Sequence, residues 1–95
     1  MTHEDFFKKA LKTVSEVTGI PELAILKSHA RSHADARHVL VCALSSLMTD
    51  SEIGLYLNRT SQGVGFIRRS NRGSRMVDYN QKEVCKRLES VFFQS

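Results

Sequence analysis

Four times in 95 residues, a Thr, Ser or Asn stands three positions ahead of an Asp or Glu at the head of an apolar pattern with helical spacing. The pairs are Thr2 with Asp5, Ser32 with Asp35, Thr49 with Glu52 and Asn80 with Glu83. Such a pair is a helix start signal. The first side chain accepts from an N–H that the helix itself leaves without a partner, and the acid reaches back to the first residue's own N–H. No stretch alternates apolar and polar residues over more than a few positions, as a half-buried strand would. The chain is therefore constrained to fold as helices.

Phe7, Ala10, Leu11, Val14 and Val17 follow the first signal at helical spacing, and Gly19 supplies the stop. Pro21, the one proline, suits the first position of a short helix, PELAILK, because its missing N–H would have no partner there anyway. The Ser32 signal opens a helix that reaches about Met48 and buries Val39, Leu40, Ala43, Leu44 and Leu47. Thr49 and Glu52 open a helix of barely two turns, with Ile53, Tyr56 and Leu57 as its apolar positions. After the polar break NRTS, Thr60 or Ser61 caps a helix over 62–72 that Gly73 ends. Asn80 opens a last helix carrying Val84, Leu88, Val91 and Phe92. Six segments without an internal repeat or a linker predict one small all-α domain over residues 1–95.

An apolar fraction of 41% supports a packed core rather than disorder. At this length the core is modest, and a catalytic chamber between two lobes is excluded. No nucleophile has a base at a spacing that a helix would bring together, and Asp50 and Glu52 fall on different faces, so no enzyme is expected. Cys42 and Cys85 read as reduced thiols. The longest apolar run, Val39 to Leu44, is far short of the roughly 20 residues that span a membrane. The start MTHEDFFKK has acids where a signal peptide needs basic residues, so a soluble, cytoplasmic protein without a membrane partner is expected.

The net charge of +4 is moderate but unevenly placed. Lys27 to His38 holds three basic residues, three of the four histidines and one acid, and Arg59 to Arg75 holds five arginines and no acid. Two basic clusters suggest a polyanion, nucleic acid before an anionic membrane, against the plain alternative of a solvated basic face. The glycines of GVGFIRR do not make a nucleotide loop, since the third glycine and the preceding strand of that motif are missing; no cofactor is expected. His29 and His33 share one side of a helix and His38 with Cys42 roughly the opposite one, so no metal site is expected either.

Two short helices joined by a tight polar turn, the second one basic, have the layout of a helix-turn-helix over about 49–72. In that motif the first helix crosses the phosphate backbone and the second enters the major groove. Gln62, near the start of the second helix, can pair with an adenine edge, and an arginine can pair with guanine. Arg69 and Arg72 point away from the apolar face and Arg68 lies at its edge. Phe66 falls on the outer side, either tucked against the turn or in contact with a partner. Lys27, His29, Arg31 and the rest of the stretch to His38, together with Arg59, are candidate phosphate contacts.

The stretch ADARHVLVCALSSLMTDSEIGLYLNRTSQGV resembles the C-terminal DNA-binding domain of the DnaA replication-initiator family, which has a Trp-repressor-like helical fold. The family's arginine on a long helix is matched by Arg37, its Glu-Ile-Gly by Glu52, Ile53 and Gly54, and its later arginine and valine by Arg59 and Val64. VSEVTGIPELAILKSHARS is similar to the family's first helix, short second helix and basic loop. The resemblance covers nearly the whole chain and implies binding of double-stranded DNA in replication or transcription control, with a replication or transcription protein as a further partner. Thr60, Ser61, Gln62 and Gly63 stand in place of the family's base-reading Asp-His-Ser/Thr-Thr, and Ser28 and His29 in place of loop arginines. The docking mode is thus implied and the family's target sequence is not. No GxxxxGK[ST] occurs within the 95 residues, so ATP-driven origin opening is not implied. The alternative expectation is a protein-interaction module that kept the fold and lost base readout.

Overall fold

A computed structural model describes residues 2–27, 31–69 and 75–92. Its six helices are α1 (His3–Thr18), α2 (Glu22–Lys27), α3 (Arg31–Leu44), α4 (Asp50–Leu57), α5 (Ser61–Arg69) and α6 (Arg75–Phe92), with no strand among the described residues. The all-α expectation holds. α1 opens with a complete capping box, in which the Asp5 N–H donates to Thr2 Oγ1 at 3.1 Å and the Thr2 N–H to Asp5 Oδ2 at 3.4 Å. It closes on Gly19, whose φ of 75° lies in the left-handed region that side chains other than glycine avoid. Phe6, Phe7, Ala10, Leu11 and Val14 form its buried face.

α3 is the central element and packs against α1, α2, α5 and α6. Ala36, Val39, Leu40, Val41, Ala43 and Leu44 are all buried, as are Arg37 and His38, so the helix is buried nearly all round from 36 to 44 rather than on one stripe. Leu40, Leu44 and Ile53 are fully buried, and each such side chain contributes about 1.5–3 kcal/mol relative to leaving it in water. Val64 of α5 and Val84 and Leu88 of α6 complete the same cluster, and Met48 tucks back into it.

Three boundaries differ from the sequence pattern. α3 begins at Arg31, which puts Ser32 inside the helix and not at its cap. It ends at Leu44 rather than near Met48: the Ser45 N–H still donates to the Val41 carbonyl at 3.0 Å, but the Leu47 N–H turns to the Leu44 carbonyl at 3.1 Å, and the Ser46 hydroxyl takes the Ala43 carbonyl at 2.9 Å. Leu47 is left 52% exposed instead of buried. α6 begins at Arg75, five residues before Asn80, so the Asn80–Glu83 pair lies within a helix and does not start one. The expected stop at Gly73 and the side chains of Val91 and Phe92 lie outside the described residues.

Candidate nucleic-acid interface

α4 and α5 are joined by Asn58, Arg59 and Thr60, and each of the two helices is capped at its start. Thr49 caps α4 by accepting from the Glu52 N–H at 3.3 Å, and Thr60 caps α5 by accepting from the Gly63 N–H at 3.0 Å. Between the caps, Asn58 takes the left-handed conformation (φ 57°) and the Arg59 N–H donates to the Gly54 carbonyl at 2.8 Å. The turn folds so closely over α4 that a Cβ on Gly54 would fall on the Arg59 carbonyl oxygen, inside van der Waals contact. Glycine in the Glu-Ile-Gly stretch is required by this approach.

Besides the burial of Ile53 and Leu57, two side-chain contacts tie α4 to α1. His3 Nδ1 hydrogen-bonds Glu52, and the Phe7 and Tyr56 rings stack with centroids 4.9 Å apart and planes 20° apart. The His3 bond is the main cause that holds the Glu52 carboxyl below its ordinary value, with the Thr49 backbone and hydroxyl adding to it against desolvation.

α5 turns Val64 into the core and half-buries Ile67, leaving Ser61, Gln62, Phe66 and Arg69 exposed. Its far end is fastened twice. Arg68 forms a partly buried ion pair with Asp50 at the start of α4, and His38 Nδ1 donates to the Ile67 carbonyl at 2.7 Å. A carbonyl only accepts, so Nδ1 carries the proton and Nε2 is left to accept from the Cys42 thiol, 3.5 Å away. Burial is the first cause that pushes the Cys42 thiol up, followed by the neighbouring Cys85, with Arg68 opposing. The thiol is therefore held in the protonated form that this bond needs.

The expected contact residues fall in different places. Lys27 and Arg59 are exposed and line one shallow groove of about 480 Å³ with Leu26, Tyr56, Leu57 and Asn58. Thr60, Ser61 and Gln62 are exposed along the turn and first turn of α5, Gly63 is half-buried beside them, and Arg69 is exposed one turn beyond Phe66. Arg37 and His38 are corrected to interior positions, 6% and 4% exposed. Arg37 Nε donates to the Ile25 carbonyl at 2.8 Å and so caps the end of α2. Burial first, and then the charge of Arg59, lower the Arg37 pKa. Arg68 is half-buried and engaged by Asp50. His29, Arg72 and the side chain of Arg31 lie outside the described residues.

Sequence reasoning did not single out Asp50 as the partner of Arg68, or Tyr56 as a lining residue of the groove. Both depend on contacts between α-helices that carry no local signal. No group of three or more His, Cys, Asp or Glu that could hold a metal occurs among the described residues, and no described helix is long and apolar enough to cross a membrane. These features define a small all-helical domain in which two short capped helices, α4 and α5, meet through a three-residue turn. Comparisons with protein-family models, with curated proteins and with solved structures find no match.

Proposed function

We propose that the domain binds double-stranded DNA through α4 and α5 as a helix-turn-helix, reading sequence with α5 in the control of replication or transcription. One observation carries this reading. α5 has no acid, and its outward face presents Gln62 and Arg69 from a helix held at both ends by caps and tertiary contacts. Side chains that read base edges have to be exposed and aimed by a rigid support, and these are the two types that pair bidentately with adenine and guanine. Lys27 and Arg59 flank the turn, where the backbone of a duplex would run, and hold phosphate there. The resemblance to the DnaA DNA-binding domain points to the same docking mode. Arg37 and His38 have no part in it, because they serve the interior.

Contacts to roughly six phosphates give log K a slope of about −5 against log salt, or about a thousandfold loss between about 50 and 200 mM. Fluorescence anisotropy of a labelled duplex over that range tests it, and an affinity that is absent or nearly independent of salt removes the proposal. A second reading, a protein-interaction module, is favoured by Leu55, which stands 83% exposed on α4. It predicts that Leu55→Asp abolishes partner capture and leaves salt-dependent duplex binding untouched or absent.

A further inference from the structure

We infer that Phe66 is a sequence-determining residue that packs on the C5-methyl group of thymine in the major groove, an inference that rests on the duplex-DNA reading above. Phe66 is 70% exposed, where a phenylalanine is ordinarily among the most buried residues. It lies one turn after Gln62 and one turn before Arg69, and at 100° per residue the three occupy an arc of about 60°. Its neighbours at 63 and 65 are glycines and Ile67 is half-buried, so the side chains that flank the ring on this face of α5 are Gln62 and Arg69. The face is cationic, with no acid on α5, and Asp50, the carboxylate that meets the helix, is occupied by Arg68. An apolar ring set between an amide and a guanidinium fits an anionic partner that displays a small apolar group.

The major groove of B-DNA displays such a group in the thymine methyl, beside the edges that glutamine and arginine pair with. The spacing agrees. At about 1.5 Å per residue, Phe66 lies about 6 Å and Arg69 about 10.5 Å along α5 from Gln62. At about 3.4 Å per base pair these are roughly two and three steps, so the thymine falls inside a window of about four base pairs read by the three side chains.

The test uses duplexes recovered by the whole chain from a random pool, resynthesised with deoxyuridine in place of thymine one position at a time. Deoxyuridine keeps every hydrogen-bonding group and lacks only the methyl. The wild-type chain is expected to lose about fourfold in affinity at one such position, the fold-change that matches about 0.8 kcal/mol for one buried methyl. Phe66→Ala, whose circular dichroism should match wild type because the ring is exposed, is expected to bind thymine and deoxyuridine duplexes equally at that position. Enriched sequences that tolerate deoxyuridine everywhere overturn this inference and leave the duplex-DNA reading standing. An equal loss in Phe66→Ala overturns it as well, and a pool from which nothing is enriched overturns both.

Discussion

Gly54→Ala should be the most damaging single-methyl change in the domain. The added Cβ falls on the Arg59 carbonyl oxygen, and the Arg59 carbonyl carbon would lie 3.4 Å away. Neither atom belongs to a side chain that can swing aside, so the turn itself has to lift. Overpacking of this kind costs about 1–3 kcal/mol, and stretching the 2.8 Å bond from Arg59 N–H to the Gly54 carbonyl costs a further 0.5–1.5 kcal/mol or so. Alanine recovers about 0.5–1 kcal/mol by its better helix propensity. The net loss is about 2 kcal/mol, or a melting point lower by about 8–16 °C in a domain of this size. Gly65→Ala is the control, since its Cβ would sit at ordinary contact distances, 3.6 Å from Asp50 Oδ2 and 3.7 Å from Arg69 Nη2. It should gain about 0.5–1 kcal/mol. Thermal melts followed by circular dichroism measure both, and the account of the turn is refuted if Gly54→Ala melts as high as Gly65→Ala.

Arg37→Met should lower stability by about 1.5–3 kcal/mol, read as a lower urea midpoint, because the charged donor to the buried Ile25 carbonyl is lost. The affinity of its folded fraction for duplex DNA should not change, in contrast to a phosphate-contacting arginine. Glu52 titrates at a lower pH in the folded chain than in the unfolded one, so its contribution is complete above its ordinary value of 4.5 and is lost as pH falls through the lower folded value. Glu52→Gln should therefore remove part of the acid-side loss of stability in urea titrations run below about pH 5. Lys27→Ala should weaken all duplexes alike and reduce the salt slope by about 0.9, without altering which sequences are preferred.

The helices were legible because caps and apolar spacing are local. Thr2 and Thr49 cap the helices they were expected to cap, Thr60 rather than Ser61 caps α5, and Gly19 ends α1. The same local logic failed where one pattern has two meanings. Asn80 and Glu83 satisfy a start signal, yet three- and four-residue spacings also occur throughout a helix, and the packing of Val84 and Leu88 does not require a start there. Ser45 and Ser46 bond back to the preceding turn at the end of α3, but Thr13 does the same inside α1, so such hydroxyls alone do not mark an end. Charge was the least legible property. Arg37, His38 and Arg68 look like members of a basic surface in the sequence, but an interior carbonyl, a second carbonyl and Asp50 engage them. Those partners lie 12, 29 and 18 positions away along the chain, beyond the reach of any local pattern. Lys27, Arg59 and Arg69 remain on the exterior, and only the folded chain separates the two sets.

Selection of bound sequences from a random duplex pool, run side by side on the wild-type chain and on Arg69→Ala, tests the central claim most directly. Arg69 is exposed and its removal leaves the core intact, so a change in binding reports on contact and not on folding. The wild-type chain should enrich a short sequence containing a guanine, and Arg69→Ala should enrich the same sequence with that one position relaxed, at a cost of about 1–3 kcal/mol. No enrichment by the wild-type chain, or an identical preference from both chains, would contradict the placement of α5 in the major groove.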